Sequence, residues 1–255
     1  MMQALWDSIQ AIQDEFFNFK LMFDNFDAVI AGFWFTLQLS IVAGALSLIW
    51  GLILAVLRQT PGRAGGLLRI PAIAYINALR GVPLLLVILI IFTSLGQLTS
   101  EGAVPEFIGI PTWGGRPDVF WYGVIAITLT YGAYMAEVYR AGIEAVPGGQ
   151  MEAARSLGMS HMQAMRYVIV PQAVRKVIPP LLNDFIALMK DTALVSVIGL
   201  VEVVQAARDV QRESLNSSAL MLAAILFLLV TIPLAMLLDR LIKRQQAQVS
   251  RGVTI

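Results

Sequence analysis

The chain has 255 residues, 58% of them hydrophobic and only 14% charged, with a formal net charge of +1, and its mean hydropathy is +0.74. Soluble domains carry about 25% charged residues, so a water-soluble globule is excluded and a membrane protein is expected. There is no cysteine and a single histidine, which removes disulfide frameworks, thiolate metal sites and any metal site built from histidines alone.

Residues 1–27 carry one lysine, Lys20, against Asp7, Asp14, Glu15, Asp24 and Asp27. This is the reverse of a signal peptide's basic start, so an acidic, extracytoplasmic segment too short for a soluble domain is expected. Ala28 to Leu57 is uncharged over 30 residues, and about 20 apolar residues already cross a hydrocarbon core of about 30 Å. Gly81 to Ser100 is a second uncharged run, which the apolar residues 70–79 either extend or precede as a short interfacial helix. Val119 to Ala136 is a third, ending at Glu137. Val177 to Val201 has the length of a span but contains Asp184, Lys190 and Asp191. Ser214 to Leu238 is uncharged and holds one tolerated proline, Pro233. The expected organisation is all-α: a polytopic membrane domain over 28–240, with about five transmembrane helices at 28–57, 71–98, 119–140, 177–201 and 214–238. A basic cytoplasmic tail follows at 241–255.

Five spans put the two ends on opposite sides, and basic residues decide which is inside. One set of connections and the tail hold twelve Lys and Arg residues; the other side holds four, Lys20, Arg116, Arg208 and Arg212. The expectation is an N-terminus outside, a C-terminus inside, and residues 147–171 in the cytoplasm.

That connection has its own local grammar. Pro147, Gly148 and Gly149 break the helix leaving the third span, and a short helix starts near Gln150. Glu152 sits in its first turn, where a carboxylate suits the helix dipole; Ala153 and Ala154 are small enough to admit a partner's surface; Gly158 suits a left-handed helix end. Ser160 and Gln163 have capping-box spacing for a second helix, which is expected to stop by Pro171. Met162, Met165 and Val168 or Ile169 follow down one side, an adaptable face suited to docking on a protein, or equally to lying on the membrane.

The order Glu152-Ala153-Ala154, Gly158, Val168, Val170, Pro171 resembles the EAA signature of ABC transporter permease subunits, with valines at the usual Ile and Leu positions. "GFWFTLQLSIVAGALSLIWGLILAVLR", "NALRGVPLLL", "YGAYMAEVYRAGIEAVPGGQ" and "RKVIPPLLNDFIALMKDTALVSVIGLVEV" resemble the polar amino acid branch of that family. The resemblance covers roughly residues 28–240; the acidic start and "TSEGAVPEFIGIPTWGGRPDVF" fall outside it. It implies a type I importer-like fold in the bacterial inner membrane, whose EAA loop forms a coupling helix seated on an ATPase subunit dimer. It also implies a second permease subunit, identical or homologous, and an extracytoplasmic binding protein that delivers a polar amino acid. The chain lacks GxxxxGK[ST], so ATP hydrolysis belongs to another polypeptide. No metal, cofactor or nucleic-acid partner is expected; membrane lipid is.

Substrate-pathway candidates are Arg80, Tyr134, Asn183, Asp184, Lys190, Asp191 and Thr192. Charges at the depth of Lys190 and Asp191 are costly enough to be paired or to face water. They either line the pathway or hold a subunit interface, and they pair with each other only if the helix is interrupted there. Arg80, in an Arg-Gly-x-Pro motif, either meets a substrate carboxylate or bridges to Asp184 or Asp191. Glu137 and Arg140 are spaced as an intrahelical pair. His161 is read as a solvated or interface residue. The competing function is an ion-coupled secondary transporter of small polar solutes, against which stands the lack of an internal repeat. A membrane enzyme is disfavoured by the absence of HExxH, Gly-x-Ser-x-Gly or a second histidine.

Overall fold

The computed structural model describes residues 2–60, 62–113 and 118–252, and their side chains except those of residues 4, 62–64 and 244–252. Arg116 and the last three residues of the expected tail lie outside the described residues. In chain order the helices are α1 (Met2–Phe16), α2 (Phe19–Asp24), α3 (Phe26–Arg58), α4 (Gly62–Gly81), α5 (Leu84–Ser100), α6 (Glu106–Gly109) and α7 (Asp118–Glu144). They continue as α8 (Gly148–Ser156), α9 (His161–Ala164), α10 (Val170–Asp191), α11 (Val203–Ser214) and α12 (Ser218–Gly252). A π-helical turn occupies Met165–Ile169 and a 3-10 helix Thr192–Ile198.

Among the described residues, three helical stretches are long and apolar enough to cross a membrane: Phe26–Arg58, Asp118–Glu144 and Ser218–Lys243. The expected second span is not one straight helix, because α4 and α5 are bent by 109° at the break between Gly81 and Leu84. Pro83 explains the break: it disfavours helical backbone at Val82 and has no N–H to give the preceding turn. The bent pair passes the same test when taken as one span. The expected fourth span is also divided, since α10 starts at Val170 and gives way at Thr192 to the 3-10 segment. β-branched Thr192, Val195, Val197 and Ile198 crowd a regular helix, and Thr192 turns its hydroxyl onto the Met189 carbonyl at 2.7 Å.

The chain divides into two compact units. One comprises Met1–Val42, Ile88–Ile125 and Met189–Pro233. Its core joins Met22, Val29 and Phe33 to Val203, Ala207 and Val210 of α11 and to Leu222, Ala223 and Leu226 of α12. α11 is amphipathic: Val203, Ala206, Ala207 and Val210 are buried, at the spacing that forms one helix face, while Arg208 and Arg212 face out. Its N-cap is Glu202, fully buried. One carboxylate oxygen accepts from the Gln205 N–H and the other from the Val204 N–H, both at 2.9 Å. Thr36 adds a hydroxyl donor at 3.4 Å and itself accepts from the Val203 N–H at 3.2 Å. The opening helical donors are thus satisfied without water. Burial pushes the Glu202 carboxyl above its ordinary pKa, against the pull of these bonds and of Arg208.

The acidic start is structured and tied to the beginning of α12. The Ser217 hydroxyl donates to the Glu15 carboxylate at 2.7 Å, Asn216 donates to the Asp14 carbonyl at 2.7 Å, and the Asn18 N–H donates to Ser218 at 2.9 Å. Leu5, Ile9, Ile12 and Phe16, spaced along one face of α1, are exposed, the pattern of a helix lying in an interface plane. The 99–113 stretch is likewise pinned, with the Tyr122 hydroxyl donating to the Gly109 carbonyl at 2.6 Å and the Trp121 indole to the Trp113 carbonyl at 2.8 Å.

The second unit comprises Ala43–Val87, Ala126–Leu188 and Leu234–Ile255. Leu54, Ala55, Ile76 and Ala136 form one of its cores, with Trp50 and Tyr75 against it. The Trp50 indole donates to the Tyr75 hydroxyl at 3.0 Å, and Tyr75 donates to the Leu129 carbonyl at 2.9 Å. α7 and α10 approach closely at Gly142, where an added Cβ would lie 2.0 Å from Val177 Cγ1.

Candidate functional site: the 147–171 loop and the charged cluster of α7

α8 begins at Pro147, whose fixed φ of −57° and missing N–H suit the start of a helix. It ends in a Schellman motif: the Met159 N–H donates to the Ala154 carbonyl at 3.2 Å and the Gly158 N–H to the Arg155 carbonyl at 3.0 Å. Gly158 has φ +83°, a conformation that costs any β-carbon-bearing residue strain. Arg155 adds a donor from its guanidinium to the Met159 carbonyl at 2.8 Å. The expected capping box is present, with the Gln163 N–H donating to the Ser160 hydroxyl at 3.2 Å and the Ser160 N–H to the Gln163 side chain at 2.8 Å.

The loop also has a core of its own. Val146, Ile169 and Ala173 pack with Ile143, Met151, Met165 and Val168, so α8 is held from beneath. The two alanines of the signature therefore face different ways. Ala154 is buried, whereas Glu152 and Ala153 are exposed, together with Leu157, which is 82% exposed. Leu157 is an apolar knob that the sequence pattern did not single out, since one exposed leucine has no periodic signature.

The expected stop at Pro171 does not occur. The helix runs from α9 through the π-helical turn into α10, with the Val170 N–H donating to the Met165 carbonyl. In a regular helix Pro171 would leave the Tyr167 carbonyl without a donor and press its ring against it. The extra residue in the π turn widens the preceding backbone and relieves both defects.

On α7, Glu137 gathers three arginines. Arg140 Nε lies 2.7 Å from Glu137 Oε2, Arg80 Nη1 lies 3.4 Å from Oε1, and Arg58 also bonds Oε1. Arg140 pairs further with Glu144. The Glu137–Arg140 pair was legible from spacing; Arg58 and Arg80 join from α3 and α4. Glu137 is a partner for Arg80 that the sequence reading did not offer. The Arg80 side chain is the most exposed of the three, at 42% against 21% for Arg58 and 33% for Arg140. It stands 6.0 Å from the centre of the Tyr134 ring, and the Tyr134 hydroxyl reaches its carbonyl at 3.5 Å.

The other candidates are spread along α10 and beyond. Asn183 is exposed and Asp184 partly buried. Among the described residues, Asp184 Oδ2 has no hydrogen-bond partner, and neither do the hydroxyls of Ser47, Thr128 and Thr130. Lys190 is exposed, Asp191 partly buried and Thr192 buried. The helix is interrupted just after this charged pair, at Thr192.

This arrangement has relatives. Residues 47–248 match the family described as "Binding-protein-dependent transport system inner membrane component". The chain belongs to this family. It is 36% identical over 233 residues to "Probable glutamine ABC transporter permease protein GlnM" of Bacillus subtilis, a match covering 89% of this chain and 97% of that one. It is 33% identical over 198 residues to "Octopine transport system permease protein OccM" of Rhizobium radiobacter, covering 78% and 77%. Among solved structures it is similar to one titled "Crystal structure of an amino acid ABC transporter with histidines", with TM-score 0.74, 34% identity and coverage of 88% and 96%. The inward-facing MetNI methionine ABC transporter, at 18% identity and TM-score 0.68, shares the fold.

The protein is thus an all-α, multi-pass inner-membrane permease subunit of an amino acid ABC importer. Permeases of this family work with ATPase and substrate-binding partners, and ATP hydrolysis lies in a separate subunit.

Proposed function

We propose that this permease imports a polar amino acid of the glutamine class, delivered from outside by a binding protein, and that α8 is the joint through which a separate ATPase dimer drives it. The observation that carries this reading is the build of the 147–171 loop. Its exposed face of Glu152, Ala153 and Leu157 sits on a helix closed by Pro147 at one end and by the Schellman turn at Gly158 at the other. It is underpinned by its own apolar core. A push received at such a face moves the helix rather than deforming it. The N-terminus lies outside and the C-terminus inside, as the basic residues require, and two permease chains complete the route.

Arg80 and Tyr134 receive the substrate's carboxylate. Arg80 makes the longest contact with Glu137 and is the most exposed of its arginines, so an incoming carboxylate competes for it at small cost. Asp184, with one oxygen unpartnered, lines the wet route with Asn183, and Lys190, Asp191 and Thr192 continue it where α10 gives way.

The test is uptake of labelled amino acids into proteoliposomes holding this chain with its co-purifying ATPase, with and without internal ATP and binding protein. Glutamine uptake that needs both is expected. Uptake driven by an ion gradient alone would overturn the importer reading in favour of a secondary transporter.

A further inference from the structure

A groove of about 900 Å³ runs along the second unit, and the transport reading makes no use of it. Its floor is deep because small or branched residues line it: Ala55, Ala173 and Val177 are all buried. Its walls are aliphatic and open outward, with Leu52 52%, Val56 62%, Val170 40% and Val174 47% exposed. Among the described lining residues, Tyr139 has its hydroxyl turned to the Leu48 carbonyl at 3.3 Å, Gln59 and Thr60 close α3, and His161 and Arg166 come from the start of the α9 to α10 helix. No carboxylate is among the described residues lining it, and Arg166 is exposed.

The groove therefore has a hydrocarbon-facing body and a cationic mouth. Its volume is at the upper end of the roughly 300–1,000 Å³ range of small-molecule sites, but an aqueous solute would have to bind walls that are aliphatic and open to the bilayer. Its axis follows α3 from Leu52 to Thr60 and α10 back from Val177, so a long chain lying along the helices meets apolar surface throughout and a cation at its end. Met162 and Met165, which also line the groove, adapt to an occupant of variable shape.

We propose that this groove is a binding site for an anionic phospholipid, whose acyl chain lies along Leu52, Val56, Val170 and Val174 and whose headgroup phosphate meets Arg166 and His161. The assignment rests on the reading that residues 147–171 face the cytoplasm, where the leaflet surface is anionic and each nearby basic residue contributes about 1 kcal/mol of attraction.

The full chain, in the complex in which it purifies, is reconstituted with photoactivatable acyl-chain phosphatidylglycerol or phosphatidylcholine, and the adducts are mapped. Adducts from phosphatidylglycerol at residues 52–56 and 170–174 are expected. Arg166→Gln should lower the preference for phosphatidylglycerol about fivefold, while Arg155→Gln, a charge removed from the same loop outside the groove, leaves it unchanged. Equal labelling by the two lipids, or equal losses in the two variants, would overturn the site. So would efficient cross-linking between copies through cysteines placed at Val56, which would make the groove a contact between permeases. A cysteine at Ser156 probed from either side of the membrane reads the sidedness independently. Labelling from outside alone would refute the cytoplasmic placement, and the adduct map would still decide whether lipid occupies the groove.

Discussion

Two glutamates in this protein are withdrawn from water and are satisfied in opposite ways. Glu137 is surrounded by side chains: Arg58, Arg80 and Arg140 converge on it. Glu202 is surrounded by backbone: two N–H groups of α11 and the Thr36 hydroxyl occupy its oxygens. Three guanidiniums on one carboxylate can redistribute when an anion arrives, because each has other donors to offer. N–H groups at a helix start cannot move without unwinding the helix. Glu137 is thus placed for a device that rearranges, and Glu202 for a fixed corner.

Substitutions can break this contrast, beginning with the largest effect. Glu137→Ala leaves three arginines facing one another and is expected to destabilise the permease by about 1–3 kcal/mol, since the arginines keep partial access to water, seen as reduced yield of folded protein and a lowered Tm in detergent. Replacing Glu137 and Arg58 together by methionine should recover part of that loss, because a buried pair removed whole leaves less uncompensated charge. If the double variant is no better than Glu137→Ala, the cluster is not acting through charge balance.

Glu202→Ala removes a cap and leaves buried N–H groups unpaired, an expected loss of about 1–2 kcal/mol. Glu202→Gln keeps one acceptor and should lose less, and its drop in Tm from the unsubstituted protein measures the second carboxylate oxygen. Unlike Glu137→Ala, neither should change the KM of uptake, provided that the protein folds.

Gly158→Val forces a β-branched residue into left-handed backbone, at a local cost of roughly 1–2 kcal/mol. It should leave the spans inserted while separating ATP hydrolysis from uptake, read as ATPase activity without transport. Normal coupled uptake would count against α8 as the joint. The smallest effect on stability belongs to Arg80→Lys, about 0–1 kcal/mol because the side chain is well exposed. Its expected signature is a raised KM for the amino acid with kcat little changed, and an unaltered KM would make Arg80 structural.

The parts legible in the sequence share a physical trait. The left-handed Gly158, the capping box of Ser160 and Gln163, and the pairing of Glu137 with Arg140 all depend on residues three or four apart, where helix geometry fixes who meets whom. The stop at Pro171 was misjudged although it too is local. The rule that proline ends a helix assumes a regular preceding turn, and the π turn at Met165–Ile169 removes that premise. Lys190 and Asp191 were singled out by their cost in a bilayer, and the interruption beside them followed from the β-branched run after Asp191.

The sequence alone determined that this is a polytopic membrane protein and that residues 147–171 form a helix, a turn and a second helix. Those conclusions rest on composition and short-range spacing, which survive any packing. Only the tertiary structure decided that Arg58 and Arg80 share Glu137, that Glu202 caps α11 against Thr36, and that an aliphatic groove with a basic mouth opens beside α10. Each of these joins residues far apart in the chain, and their meeting is set by which helix faces pack together.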